Sequence, residues 1–338
     1  MSKDLERLVL VDAFAILFRA FFAIPHMSSP EGKPTNAVYG FTRILLNVID
    51  ELEPDCIAIA FDTSGDTFRD EIYPEYKANR DAPPDNFIPQ ISLTQKVVDA
   101  MSIPRFEMQG WEADDIIGTL AEQAASVGKE QRVSSNEYET VIVTGDQDLF
   151  QLVDDKKNIK VWIPGMRGKD SVMYQEANVI EKLGVKNTQV VDYKGLAGDS
   201  SDNIPGVRGV GPKTAVDILN QHPDLDSLYK AIDSIIAFDQ DKQEITNPKA
   251  EIKTALSNLN LKPAVLKKLL TQRETAYLSR TLATISKEAP ITLALDECKI
   301  NGYDKKAVRN IFQEYGFKSL MRILPDDQFE TDVQEALF

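Results

Sequence analysis

The chain has 338 residues, 43% of them hydrophobic, which is enough for one large domain or two ordinary domains with packed cores and excludes a disordered chain. Its formal net charge of −15 argues against a nucleic-acid-binding protein, whose surface is usually basic, unless many of the acids bind metal ions. The two cysteines lie far apart in the chain, which excludes a disulfide framework and a zinc–cysteine site. There is no signal-type segment and no apolar run long enough to span a membrane, and we therefore predict a cytoplasmic protein.

The predicted strands have one feature in common, because each is followed by an aspartate. The apolar runs at residues 8–11, 56–61 and 141–143 precede Asp12, Asp62 and Asp146, respectively. Helical patterns at residues 37–52 and 116–125 separate these runs, and the alternation predicts an α/β fold with a parallel central sheet flanked by helices. Ligands of such sheets bind at the carboxyl ends of the strands, so we expect the three aspartates to converge on one crevice. A cation would offset the repulsion between them.

Further acids lie at a predicted helix start and in two loops. They are Glu112, Asp114 and Asp115 in WEADDIIGTLAEQA, Asp148 in VTGDQDLF, and Asp199 and Asp202 in AGDSSDNIPG. Taken alone, each group also fits a plain helix start, cap or turn, since acids in a first helical turn interact favourably with the macrodipole. Taken together with the strand-end aspartates, these oxygen donors predict Mg²⁺ or Mn²⁺ rather than zinc. Two such ions would activate a water and stabilise the leaving oxygen of a phosphodiester.

The strand patterns stop near residue 185, where short helices joined by glycine-rich segments begin. We therefore predict an α/β core over residues 1–184, a helical region over residues 185–325 and an acidic tail over residues 326–338. Residues 79–89, which are rich in Pro, Asp and Asn, are predicted to form an exposed or mobile loop, and residues 129–139 a polar surface excursion.

The glycine-rich segment IPGVRGVGPKTA predicts a tight turn between two helices, with Pro212 at the first position of the second helix. Glycines let a backbone approach a phosphate closely, and a helix N-terminus presents free N–H groups to it. The predicted phosphate-binding residues are Gly206, Gly209, Gly211, Lys213 and Thr214. A P-loop is excluded because Pro212 separates Gly211 from Lys213 and because no strand precedes the segment. A plain structural turn is the alternative.

Basic side chains follow the second predicted strand, in the segment FRDEIYPEYKANR. Arg69, Lys77 and Arg80 are predicted to bind a phosphate and stabilise charge beside a metal site, and Tyr76 is predicted to stack on a base. Arg19, in the helix after the first strand, is a further predicted phosphate contact. The alternative for the residues of FRDEIYPEYKANR is a solvated charged segment.

Five segments, in order, resemble the 5′-nuclease family, which includes the N-terminal domain of bacterial DNA polymerase I and the flap endonucleases. They are LVLVDAFAILFRAFFA, AFDTSGDTFRDEIYPEYKANR, WEADDIIGTLA, VTGDQDLFQLV and AGDSSDNIPGVRGVGPKTA, within residues 7–325. The resemblance implies a PIN-like core, an arch near residues 77–96, and a helix–hairpin–helix at the glycine-rich segment with a K⁺ ion held by backbone carbonyls. It also implies hydrolysis of DNA at 5′ flaps, nicks and ends during replication and repair.

The resemblance assigns the acids to two metal sites. The first would use Asp12, Asp62, Glu112 and Asp114, and the second would be held or supported by Asp115, Asp146, Asp148, Asp199 and Asp202. Gln147 and Trp111 depart from residues that many relatives have there, but neither position need bind metal. Residues 129–139 and 235–259 exceed what is expected of compact family members, and no role is assigned to them.

Two other functions fit part of this pattern. A non-catalytic, structure-specific DNA-binding protein would keep the scaffold but lose several acids, whereas this chain retains them all. An aspartate-dependent phosphatase would be expected to show D-x-D spacing at its nucleophile and to lack the GVRGVG segment, but Ala13 and Phe14 follow Asp12.

The last five residues, QEALF, resemble the Q-x-x-L-F peptide by which bacterial replication proteins bind the sliding clamp. Gln334 would be the polar anchor, and Leu337 and Phe338 would fill an apolar pocket. A mobile tail would act as a tether that raises the effective concentration of the enzyme at the clamp. A frayed acidic terminus is the alternative. The protein is otherwise expected to be a monomer.

Overall fold

The computed structural model of the protein describes residues 5–130, 138–165, 168–239, 244–246, 249–300 and 303–325. The chain forms two compact units. Unit 1 consists of the described parts of Met1–Thr67, Ala82–Gln175 and Ile285–Phe338, and unit 2 of the described parts of Phe68–Asp81 and Glu176–Thr284. Residues 131–137 of the predicted surface excursion, and the tail with Gln334, Leu337 and Phe338, lie outside the described residues.

The helices give the chain most of its regular structure. In chain order they are α1 (Ala13–Ala23), α2 (Asn36–Leu52), α3 (Phe68–Ile72), α4 (Ile88–Ala100), α5 (Ala113–Glu130), α6 (Glu176–Leu183), α7 (Val190–Ala197), α8 (Pro212–Leu219), α9 (Leu225–Asp233), α10 (Lys249–Asn258), α11 (Pro263–Thr271), α12 (Arg273–Ala283), α13 (Leu295–Cys298) and α14 (Lys305–Tyr315). Over the described part of the chain, no helix has both the length and the apolar character needed to cross a membrane.

A six-stranded sheet forms the centre of unit 1. Its strands are β1 (Glu6–Asp12), β2 (Cys56–Ala60), β3 (Arg105–Phe106), β4 (Tyr138–Val143), β5 (Ile159–Ile163) and β6 (Val172–Tyr174), in the spatial order β3-β2-β1-β4-β5-β6. All neighbours pair in parallel except β6, which runs antiparallel to β5. The predicted α/β fold with a mostly parallel sheet is therefore confirmed, and the antiparallel edge strand is an addition to it.

The register of the sheet brings the three predicted strand ends to one edge. Asp12 pairs with Ala60 of β2, and Val11 pairs with Val143 of β4. Residues 8–11 of β1 are almost completely buried, as expected for a strand covered by helices on both faces. β3, β5 and β6 were not predicted; β3 has only two residues, and β6 is a short edge strand.

Helix α4 and the C-terminal segment depart from the predicted domain plan. Gln90 of α4 is buried and its Oε1 accepts a hydrogen bond from the N–H of Ala37 in α2 (2.8 Å), so residues 88–96 belong to the helical layer of unit 1 and not to an arch. Val308 and Phe312 of α14 lie in the same apolar core. The segment from Ile285 is therefore part of unit 1, although the sequence placed it in the helical region.

Unit 2 is almost entirely helical. It contains α3 and α6 to α12, together with a two-stranded antiparallel ribbon of β7 (Phe238–Asp239) and β8 (Glu244–Ile245). Its core is built mainly from leucine and isoleucine side chains on α7, α8, α9 and α11. The ribbon and α10 lie in the stretch 235–259, of which residues 240–243 and 247–248 are outside the described part of the chain.

Candidate metal centre and phosphate-binding turn

Asp12 stands where the central strand ends and a helix begins. It is the last residue of β1 and the N-cap of α1, and its Oδ1 accepts a hydrogen bond from the N–H of Ala15 (3.0 Å). Its Oδ2 accepts from the hydroxyl of Thr144, just beyond β4 (2.7 Å). Although Asp12 is only 3% exposed, its carboxylate has two partners, which hold it at the carboxyl edge of the sheet.

Asp62 connects the end of β2 to the start of α5. Its Oδ1 accepts a hydrogen bond from the N–H of Ala113 (2.9 Å), the first residue of α5. Glu112 and Asp114 flank that residue, so the helix start with its acids is anchored to the second strand end. Because β1 and β2 are neighbours, Glu112 and Asp114 belong to the same edge of the sheet as Asp12.

The carboxylate of Asp115 accepts hydrogen bonds from two backbone N–H groups. It is fully buried, and its Oδ1 accepts from the N–H of Ser286 (2.7 Å) while its Oδ2 accepts from the N–H of Glu112 (3.3 Å). Both oxygens therefore bind backbone groups, which ties the segment after Thr284 to the start of α5. The predicted role of Asp115 at the second metal site stays a prediction.

The turn after β4 places the third pair of acids. The N–H of Asp146 donates to the hydroxyl of Thr144 (2.9 Å), and the N–H of Asp148 donates to Oδ1 of Asp146 (2.9 Å). Asp148 then begins a short 3₁₀ helix, Asp148–Leu152. Thr144 thus joins the turn to Asp12, so a single hydroxyl links two strand ends.

The carboxylates of Asp12, Asp62 and Asp146 interact electrostatically. Burial raises the pKa of Asp12 to about 7, and the neighbouring carboxylates of Asp62 and Asp146 contribute to the same rise. Within the described residues, no three acidic, histidine or cysteine side chains are placed as a closed set of ligands around one ion. The donor chemistry nevertheless fits a divalent cation, since the donors are carboxylate oxygens and a cation would relieve their repulsion.

The contribution of Asp12 to the stability of the metal-free protein is expected to fall as the pH rises from about 4 to about 7, because Asp12 binds its proton more tightly in the folded chain than in the unfolded chain. The Asp12→Asn variant lacks this titration. The free energy of unfolding of the wild type relative to the variant should therefore decrease over this range by on the order of a few kcal/mol. Urea denaturation in EDTA at several pH values measures it, and a pH-independent difference would contradict the placement of Asp12.

Asp199 and Asp202 belong to unit 2, where basic side chains of the same unit already pair with them. Nζ of Lys194 lies 2.5 Å from Oδ2 of Asp199. Burial would raise the pKa of Asp199, but this ammonium lowers it to about 2. Asp202 accepts a hydrogen bond from Arg80, and Nζ of Lys77 lies 3.9 Å from it. Their predicted role as metal ligands stays a prediction.

Arg69 and Tyr76 lie inside unit 2, and this corrects their predicted roles. Arg69 is 2% exposed, and its guanidinium donates to the carbonyls of Leu282 (2.9 Å) and Thr284 (2.8 Å). Tyr76 is also buried, and its hydroxyl donates to Asp202 (3.4 Å). An arginine enclosed in this way does not reach a phosphate, and an enclosed ring does not stack on a base.

Arg19 lies beside the turn that precedes Asp146. A Cβ added to Gly145, in the turn between Thr144 and Asp146, would stand 3.5 Å from Cδ of Arg19. Partial burial lowers the pKa of Arg19. The placement agrees with a phosphate contact next to the strand ends, which remains a prediction.

An aromatic row on the same helix was not predicted from the sequence. The rings of Phe14 and Phe18 stack at 5.6 Å, and those of Phe18 and Phe22 meet edge to face at 4.9 Å. Phe18 and Phe22 are exposed, and Phe22 retains 59% of its accessible surface. The spacing of four residues along α1 was visible in the sequence and is the signal that would have found this row.

The glycine-rich turn lies between α7 and α8, and Pro212 opens α8 as predicted. Gly206 is buried with φ +60°, and an added Cβ would stand 2.2 Å from the backbone nitrogen of Gly198, so this glycine serves backbone packing instead of phosphate approach. An added Cβ at Gly211 would meet open space. Lys213, in the first turn of α8, is exposed, and Thr214 beside it is half-buried.

Unit 1 is thus an α/β unit with carboxylates gathered at one edge of its sheet, and unit 2 is a helical unit with a glycine-rich turn. Residues 7–184 match the family described as 5′-3′ exonuclease, N-terminal resolvase-like domain, and residues 185–306 match 5′-3′ exonuclease, C-terminal SAM fold. The chain belongs to the 5′-3′ exonuclease family. The 5′-nuclease resemblance inferred from the sequence is therefore confirmed.

Curated relatives agree with this assignment, and a solved structure shares the fold. The chain is 36% identical to DNA polymerase I of Bacillus subtilis over 98% of its length and 40% identical to DNA polymerase I of Chloroflexus aurantiacus over 94%. It spans about a third of the length of these relatives, 34% and 31% respectively. A structure of the T5 5′-exonuclease with divalent metal ions (zinc) shares the fold, with a TM-score of 0.62 and 18% identity over 92% of this chain and 100% of that one.

Proposed function

We propose that the protein is a divalent-metal-dependent 5′-3′ exonuclease and flap endonuclease that hydrolyses DNA phosphodiesters near 5′ ends in replication and repair. The observation that carries the proposal is the buried Asp12, which shares one edge of the sheet with Asp62 and Asp146. A bound cation would offset the repulsion between these carboxylates. The structure of the T5 5′-exonuclease that shares the fold has divalent metal ions (zinc) bound.

Six acids of unit 1 would hold the metal, with Mg²⁺ as the proposed ion and Mn²⁺ as a substitute. They are Asp12, Asp62, Glu112, Asp114, Asp146 and Asp148. When bound, the ions would supply an activated water and stabilise the leaving oxygen. Thr144 fixes the orientation of Asp12, and Ala113 fixes that of Asp62. Arg19 would place a positive charge next to the turn of Asp146 and bind the phosphate.

Cleavage of 5′-labelled DNA tests the proposal directly. A flap duplex and a nicked duplex are incubated with the protein in Mg²⁺, in Mn²⁺ and in EDTA. We expect products cut near the 5′ end in both metals and none in EDTA. If the protein binds both substrates but cuts neither in any metal, it is a non-catalytic DNA-binding protein and the proposal is wrong.

Lys77 and Arg80 are expected to affect cutting more than binding, whereas Lys213 should do the opposite. The Lys77→Ala and Arg80→Ala variants would remove charge that stabilises the transition state. Lys213→Ala would remove a contact between α8 and a backbone phosphate, so it should weaken duplex binding and flatten its salt dependence. Single-turnover rates and duplex affinity at several salt concentrations separate the two effects. Equal losses of affinity in all three variants would contradict this division.

We also propose that residues 334–338 bind a bacterial sliding clamp and that the protein acts as a monomer. The support is the QEALF sequence, which offers a glutamine and two adjacent apolar side chains. Deleting these five residues should leave flap cutting unchanged and remove clamp binding in a calorimetric titration. Absence of any clamp affinity of the full chain at high micromolar concentration would show that the terminus is not a clamp peptide.

A further inference from the structure

The turn between α7 and α8 is held by side chains from the end of α11. Nζ of Lys268 donates a hydrogen bond to the carbonyl oxygen of Gly209 (2.9 Å). Four residues later, the side chain of Gln272 accepts from the N–H of Arg208 (2.8 Å) and donates to its carbonyl (3.4 Å). Side chains four residues apart lie on one face of a helix, so α11 and its C-cap contact two successive residues of the turn.

Gly209 is the residue that makes room for this lysine. Its φ is +87°, and an added Cβ would stand 2.2 Å from Nζ of Lys268. The turn is also the part of unit 2 where Arg208 and Lys213 are exposed. The ammonium of Lys268 therefore lies on a backbone carbonyl within a basic, solvent-facing turn.

A K⁺ ion bound to this carbonyl oxygen would be repelled by the ammonium of Lys268, which donates a hydrogen bond to the same atom. Backbone carbonyl oxygens are the ligands that proteins offer to K⁺, and the resemblance implied such an ion at this segment. Here a covalently attached cation already binds the oxygen of Gly209. An ammonium has three donors, so it can bind a carbonyl and a phosphate at the same time.

We propose that Lys268 is the resident cation of the turn: its ammonium, seated on the carbonyl of Gly209, binds a backbone phosphate of duplex DNA and makes that binding independent of K⁺. This inference rests on the proposed DNA-binding function and adds to it a phosphate-binding residue from α11. It also replaces the K⁺ ion expected from the resemblance with a side chain.

The test compares duplex affinity in KCl, NaCl and tetramethylammonium chloride at equal ionic strength, by fluorescence anisotropy in EDTA so that no cleavage intervenes. The wild type should bind equally in the three salts. Lys268→Ala should bind about tenfold more weakly in tetramethylammonium, recover part of the loss in K⁺, and reduce the slope of log affinity against log salt by about 1. Lys268→Gln keeps a donor for the carbonyl without the charge, so it should unfold at the wild-type temperature yet show the same weakened binding.

Lys267→Ala is the matched control, because it removes an equal charge from the exposed neighbouring position on α11. If Lys268→Ala and Lys267→Ala bind alike, Lys268 is an ordinary surface lysine and the inference is wrong. If the wild type binds several-fold more tightly in K⁺ than in tetramethylammonium, a free ion occupies the turn and the inference is also wrong. If neither the wild type nor any variant binds duplex, both the inference and the proposed function are wrong. If the wild type cleaves DNA but binds duplex more tightly in K⁺, only the inference about Lys268 is wrong.

Discussion

The Asp146→Asn variant is expected to cut 5′-flap DNA on the order of 10³-fold more slowly than the wild type, or not at all, while its affinity for the same DNA in EDTA stays unchanged. Asp146 is one of the carboxylates that act on Asp12, and it belongs to the turn that Thr144 links to the central strand. Asparagine keeps the shape and the oxygen that accepts from the N–H of Asp148. The variant therefore removes a negative charge and a metal ligand without removing the turn.

Single-turnover cleavage of a labelled flap in Mg²⁺ measures the rate, and anisotropy in EDTA measures the binding. Asp50→Asn provides the control, since Asp50 is an exposed acid on α2 and the charge change is identical. Thermal unfolding of both variants shows whether the fold is kept. Near-wild-type cutting by Asp146→Asn would remove this acid from the metal centre.

The Arg69→Met variant is expected to lose on the order of 3 kcal/mol of stability, because the buried carbonyl of Leu282 and the partly buried carbonyl of Thr284 would be left without their donor. In the wild type these carbonyls belong to Leu282 and Thr284, and the guanidinium also lies 4.5 Å from the centre of the Phe68 ring. Methionine fills part of the volume but donates no hydrogen bond. Urea denaturation gives the loss of stability, and duplex affinity is measured under conditions where the variant is still folded.

This result separates two roles that the sequence left open for Arg69. A phosphate contact would lower duplex affinity and leave the unfolding transition unchanged, whereas a buried structural arginine lowers the transition and leaves the affinity of the folded protein intact. Arg309→Met, which changes an exposed arginine of α14, should alter neither property by more than a few tenths of a kcal/mol. A stable Arg69→Met variant with weakened DNA binding would restore the original prediction.

The local sequence pattern was sufficient to predict the fold class and the position of the aspartates at the strand ends. An apolar run of strand length followed by an acid, repeated between helical patterns, predicts parallel strands whose carboxyl ends meet at one edge. Asp12, Asp62 and Asp146 needed no other information, because strand periodicity and helix starts depend on near neighbours in the chain. The position of Pro212 at the first turn of α8 was predicted for the same reason.

Burial of polar side chains was decided only by the tertiary structure. Nothing in the segment FRDEIYPEYKANR distinguishes its basic residues, yet Arg69 is buried and Arg80 is exposed. The difference arises because Arg69 donates to the carbonyl of Leu282, which lies 213 residues further along the chain. Two other contacts also join distant segments: α14 packs in the core of unit 1, and Lys268 contacts Gly209. The sequence alone determined which residues are acidic, apolar or free to turn; which of them are buried together depends on long-range packing, and no local pattern contains that information.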